Sequence, residues 1–145
     1  MSQRDWQRSR VYAWENRLIA PRDRSRVLFP AAQGMVSAIW SEMGLRSPPG
    51  VEPLPAQART RVADADRLTI RLPRLVPSWH LLHELAHAMT TTHDGLSDGH
   101  GPIFMGIYNQ LLGRYLRLDE PELLRSLAVA GIQVHPRARP VFVTL

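Results

Sequence analysis

The sequence predicts an α+β fold, with helices gathered around a small antiparallel sheet. Three observations carry that prediction. Apolar residues recur at helical spacing over most of the chain, one short stretch at 67–72 alternates strictly, and a stretch at 47–55 with four prolines and a glycine separates a helical first third from the rest. At 145 residues and 44% hydrophobic content, the chain is expected to form a single domain over 1–145 with one core. Its N-terminal helices fall at 1–45, and a second part at about 57–131 holds the polar motifs.

Each element has its own signal. A helix is expected over 5–19, with Val11, Trp14 and Leu18 on one stripe and Pro21 closing it. Arg22, Arg24 and Arg26 then mark an exposed connection. Pro30 suits the first turn of a second helix, where Met35, Val36, Ile39, Trp40 and Met43 recur on one face and Gly44 stands where the helix stops. The stretch 47–55 reads as a loop. The alternation at 67–72 reads as a strand with Leu68, Ile70 and Leu72 facing inward, and 57–63 as its pairing partner. A helix opens at Pro77-Ser78 and runs to about Thr91, followed by a glycine- and aspartate-rich loop at 93–101. From Pro102 a longer helix places Ile103, Phe104, Ile107, Tyr108, Leu111, Leu112, Tyr115 and Leu116 on a broad apolar face. Asp119 and Pro121 begin a last helix that Gly131 ends, and 141–143 is expected to add a closing strand. Trp6, Trp14, Trp40 and Trp79 are spaced as packing residues, and His135 as a surface loop residue.

Composition narrows the chemistry. Without cysteine there is no disulfide, no thiolate ligand and no cysteine nucleophile, so a transition metal must be held by histidine and carboxylate. The absence of cysteine is compatible with a reducing cytoplasm, which is the compartment expected here. No run reaches the roughly 18 apolar residues that a membrane helix needs. The 18 basic residues are all arginine and the net charge is +5, which makes DNA a possible partner. Arg4, Arg8, Arg10, Arg22, Arg24 and Arg26 are the expected contacts if it is one. Nothing in the composition requires an oligomer, and a monomer is compatible with it.

The motif that carries chemistry is His83-Glu84-Leu85-Ala86-His87. On a helix, positions i and i+4 share a face one turn apart, so both imidazoles reach one ion, and the intervening glutamate lies beside them. Glu84 is then placed as general base toward a zinc-bound water. Such a zinc takes a third protein ligand and keeps one position open. His93 stands ten residues after His83, the metzincin spacing, but Thr90 occupies the place where that signature has its turning glycine. His100, between Gly99 and Gly101 at the start of the next helix, is the better placed of the two. Asp94 and Asp98 read as outer partners or turn residues. His80, His93 and Tyr108 are candidate accessory groups, the last two for stabilising an oxyanion.

The ordered pair of segments His83-Glu84-Leu85-Ala86-His87-Ala88 and Gly99-His100-Gly101-Pro102-Ile103-Phe104 resembles the SprT-like zinc metallopeptidases, which include the Spartan-type proteases of DNA–protein crosslinks. The resemblance covers about residues 79–112. It implies a minimal zincin-like fold, one catalytic zinc on His83, His87 and His100, Glu84 as catalytic base, and a protein or peptide substrate. It also implies that Phe104 packs to anchor the third-ligand helix. The strand at 67–72 would be an edge strand pairing with extended substrate, with Arg67, Thr69 and Arg71 toward solvent or the cleft. Two other functions fit the same residues: a zinc hydrolase of a non-peptide substrate, and a non-catalytic DNA-associated zinc module.

Overall fold

A computed structural model describes residues 5–55 and 63–142. It is an α+β fold of five α-helices with two small sheets, and no described helix is long and apolar enough to cross a membrane. The first helix, α1 (Arg8–Trp14), passes into a π-helical turn over Glu15–Ile19 and a 3-10 turn over Ala20–Arg22. The π turn adds one residue to its loop and so rotates the side chains beyond it about the helix axis. Ile19 is therefore the fully buried residue and Leu18 only half-buried, which corrects the expected stripe. The same turn carries Glu15 into the core beside Trp14.

Strand β1 (Arg26–Leu28) leads directly into α2 (Phe29–Glu42), with Pro30 in its first turn. Ala32, Val36, Ile39 and Trp40 form the buried face of α2. At its end Leu45 N donates to Trp40 O and Gly44 N to Ser41 O, a pairing that requires the positive φ of 77° at Gly44.

The proline-rich stretch is not wholly loop. Gly50–Pro53 forms β2, parallel to β4 (Thr69–Leu72), while β3 (Asp64–Ala65) pairs antiparallel with β4 on its other side. Prolines are tolerated in β2 because it is an edge strand, where a missing N–H leaves no ladder partner unpaired. This sheet is therefore mixed, and β4 is its central strand, not an edge. Most of the expected partner segment 57–63 lies outside the described residues.

Ile70 and Leu72 of β4 face inward as expected, but Leu68 is 60% exposed. Asp66 explains this: its Oδ1 accepts from both Leu68 N and Thr69 N, making a tight turn that lifts Leu68 out. Arg67, expected toward solvent or the cleft, is instead buried. Its guanidinium lies 4.8 Å from the Trp40 ring and 4.6 Å from the Phe142 ring and donates to Ser47 O. Phe142 sits in a turn, not in a closing strand, and residue 143 is not described. Trp14 and Trp40 are core residues, whereas Trp6 is 52% exposed.

Strand β5 (Leu75–Pro77) pairs antiparallel with β1, with Val27 opposite Val76 on the buried side. Helix α3 (Ser78–Met89) follows at once. It is nearly enclosed, packing on the sheets on one side and on α4 (Pro102–Tyr115) on the other. The last helix, α5 (Glu120–Val129), closes the far side through Leu123 and Leu127. One buried cluster joins all five helices, with α3 at its centre.

Candidate metal centre

His83 and His87 lie one turn apart on α3, as the i,i+4 spacing requires, and His100 meets them from the segment before α4. Their Nε2 atoms form a nearly equilateral triangle: 3.1 Å between His83 and His87, 3.2 Å between His87 and His100, and 3.2 Å between His83 and His100. A tetrahedral ion held at about 2.0–2.1 Å by imidazole nitrogens implies edges of about 3.3–3.4 Å, so the triangle fits such an ion closely.

The outer faces of the rings fix which nitrogen carries hydrogen. His83 Nδ1 donates to Glu15 Oε2 at 2.5 Å, and His100 Nδ1 donates to Asp5 Oδ2 at 2.6 Å. With hydrogen on Nδ1, the facing Nε2 atoms of these two rings present lone pairs. While both rings are neutral, the short contact between them is therefore not a hydrogen bond. Converging lone pairs repel unless a cation lies between them, and this is the observation that points to a metal.

Each ring is held on several sides. His100 N donates to Asp5 Oδ1 at 3.0 Å, and His100 O accepts from Gln7 Nε2 at 2.9 Å. Asp98 accepts from Ile103 N and Phe104 N at 2.7 and 3.2 Å, so it caps the first turn of α4 and fixes the segment that carries His100. Phe104 stacks on His87 with ring centroids 4.3 Å apart. Glu15 Oε2 also accepts from the hydroxyl of Tyr108, at 2.7 Å.

Charge follows from these contacts. Burial opposes a proton on His83, but the hydrogen bond and charge of Glu15, with Glu84 and Asp5 behind them, raise it above its ordinary value. His87 is pushed well below its ordinary value by burial and by the neighbouring His83, His100 and His80. Burial likewise lowers His100, against the pull of Asp5. Burial also raises Asp98, in spite of the backbone bonds that it accepts.

Glu84 faces a cleft of about 450 Å³ that His83 and His87 also line. Its Oε2 lies 3.1 Å from His80 Nε2, and His80 in turn stacks on Trp79 at 5.2 Å. Arg8 and Tyr12 form one wall of the cleft, and residues 63–66 with Arg71 the other. Arg71 is paired there with Asp64 at 2.8 Å.

The structure thus brings together His83, Glu84, His87, His100 and His80. His93 stands apart, exposed in the turn after α3, and Asp94 beside it accepts from Thr92. Tyr108 is fully buried with its hydroxyl committed to Glu15, so it does not reach the cleft. Of the arginines, Arg8, Arg10, Arg22, Arg24 and Arg26 are exposed. Arg10 donates to Gly131 O and Arg22 pairs with Glu122, while Arg4 lies outside the described residues.

Sequence reasoning missed Asp5, Glu15 and Tyr12, and it offered Arg8 only as a DNA contact, not as a residue of the cleft. Glu15 left one signal: it is an acid at an inward position of a helix, between Trp14 and the apolar Leu18 and Ile19. Asp5 left none, since its partner lies 95 residues away. Compared with family models, curated proteins and solved structures, the chain matches none.

Proposed function

We propose that this chain is a zinc-dependent peptidase in which His83, His87 and His100 hold one catalytic zinc and Glu84 is the general base. The carrying observation is the triangle of imidazole nitrogens set beside a carboxylate in an open cleft. Three nitrogen donors without thiolate suit zinc, and a three-ligand site leaves room for substrate. Among the described residues no fourth histidine or carboxylate joins the three, which favours a catalytic site over a closed structural one. A bound zinc supplies Lewis acidity, acidifying water and polarising a carbonyl.

The remaining work falls to the chain's own side chains. Glu84 takes the proton of the attacking water and passes it to the leaving amine, so that its carboxylate is regenerated. His80, at 3.1 Å, orients the Glu84 carboxylate. Asp5 and Glu15 hold two ligand rings in the tautomer that presents Nε2. Among the described residues, strand β3 lies at the edge of its sheet and on the cleft wall. This edge takes the place of the one expected at 67–72. The resemblance of the paired motifs to SprT-like metallopeptidases supports the same reading.

The test is metal content by mass spectrometry, followed by hydrolysis of labelled casein. About one zinc per chain is expected in the wild type, and little in His100→Ala. Glu84→Gln is expected to keep its zinc and lose hydrolysis. A wild type that takes up no zinc on supplementation, or a Glu84→Gln variant as active as the wild type, overturns the reading.

A further inference from the structure

Hydrolysis of an amide places negative charge on the carbonyl oxygen, and sites that catalyse it aim a hydrogen-bond donor at that oxygen. The two donors suggested by the sequence do not serve. Tyr108 spends its hydroxyl on Glu15 in the core, and His93 is exposed on a turn away from the triangle.

The structure puts a different phenol in the cleft. Tyr12 on α1 is 39% exposed and lines the same cleft as His83, Glu84 and His87. Its ring packs edge-on against His100 at 5.1 Å and nearly parallel to His83 at 6.2 Å between centroids, so it spans two of the three ligand rings. No described residue engages its hydroxyl, although the ring is held firmly. Asp5 and Glu15, before and after it in the chain, tie the same segment to His100 and His83. Arg8, one turn earlier on α1, lays its guanidinium 5.6 Å from the Tyr12 ring centre and also lines the cleft, which brings positive charge to the same wall.

Resting on the peptidase reading above, we propose that Tyr12 is a catalytic residue whose hydroxyl donates a hydrogen bond to the substrate's carbonyl oxygen as that oxygen gains negative charge. The proton stays on the phenol. No bond to Tyr12 is made or broken, and the proton inventory of the reaction is that of water, Glu84 and the leaving amine alone. Base and donor thus come from separate elements, Glu84 from α3 and Tyr12 from α1.

The alternative is that Tyr12 only packs against the histidines. Tyr12→Phe separates the two, because it keeps the ring and removes the hydroxyl. The zinc-loaded full chain is compared with this variant by zinc affinity in chelator competition, by kcat and KM on labelled casein, and by calorimetric binding of a phosphonamidate dipeptide, whose anionic tetrahedral centre imitates the reacting carbon. The expected result is unchanged zinc affinity and KM, with kcat and phosphonamidate affinity each lower by about a hundredfold. Wild-type kcat and wild-type phosphonamidate affinity in Tyr12→Phe overturn the inference and leave the peptidase reading intact. Loss of zinc in Tyr12→Phe also overturns it, in favour of a packing role. Equal activity in wild type and Glu84→Gln removes the peptidase reading, and this inference with it.

Discussion

Glu15 is the residue whose removal best tests how the centre is built. Its Oε2 accepts from His83 Nδ1 at 2.5 Å and from the Tyr108 hydroxyl at 2.7 Å, and the residue is only 3% exposed. Glu15→Gln keeps the shape, and its amide oxygen can still accept both bonds, but each bond loses the charge of the carboxylate. That costs about 1–3 kcal/mol of stability with or without metal. The metal feels a second effect. His83 loses the carboxylate that raises its basicity and orients its ring, a change that lowers metal affinity by about 10–100-fold. At about 1.4 kcal/mol per decade this amounts to about 1.4–2.8 kcal/mol. At a fixed excess of zinc, the stabilisation due to metal therefore shrinks by that amount, which corresponds to about 3–11 °C in the melting temperature. The assay is chelator competition for the zinc Kd, with thermal unfolding in zinc and in EDTA alongside it. A Kd within about twofold of wild type refutes the argument that Glu15 acts on the metal through His83. Asp5→Asn is expected to move the zinc Kd in the same direction but less, because the Asp5 side chain is 29% exposed.

Three further outcomes are expected. His93→Ala should leave zinc stoichiometry and affinity unchanged, since that ring is exposed on a turn outside the triangle; loss of zinc on mass spectrometry would restore His93 as a ligand. Gly106→Ala should destabilise the chain by about 1–3 kcal/mol in chemical denaturation, because a Cβ there meets the His135 carbonyl at 1.9 Å and backbone must move. In EDTA, acid should act through His87, whose proton affinity is held far below its ordinary value by burial and by its histidine neighbours. The unfolded chain then takes up the proton first, so the His87 contribution is full above about 6.5 and is lost as pH falls toward its folded value. His83 is raised and works in the opposite sense, its contribution being full below about 6.5 and lost as pH rises through its folded value. Comparing His87→Gln with wild type by thermal unfolding at pH 5.5 and pH 7.5 isolates the first effect, and the variant should show the shallower acid loss.

Local repetition is what the sequence displays. Helices α2, α3 and α4 could be read from apolar residues three and four apart with proline at the start, and α2 also from Gly44 at its end. His83, Glu84 and His87 could be read together because one helical turn suffices to place them. His100 needed only a short polar loop and a helix start. The rest depends on pairing at long range. Strand β2 exists because Leu68 O and Leu72 O wait for Gly50 N and Leu54 N, and four nearby prolines hide this from local inspection. Arg67 is buried because Trp40 and Phe142, stacked on each other, arrive from distant parts of the chain to pack against its guanidinium, and no local pattern announces that. The π turn after Trp14 is an insertion into a regular repeat, so a stripe drawn with period 3.6 puts Leu18 where Ile19 belongs.

The inward placement of Glu15 also bears on the order in which the chain assembles. His83 and Tyr108, the groups that satisfy the acid after α1, leave the ribosome 68 and 93 residues later than Glu15 itself. An ionised carboxylate resists burial until partners are present. Burying Val11, Trp14 and Ile19 together with Glu15 is thus unfavourable until α3 and α4 supply those partners. The two α3 histidines, four residues apart, come into register as soon as their helix forms, whereas closing the triangle with its carboxylates requires contacts of high sequence separation. Completing the centre therefore requires the N-terminal segment to have docked on α3 and on the start of α4.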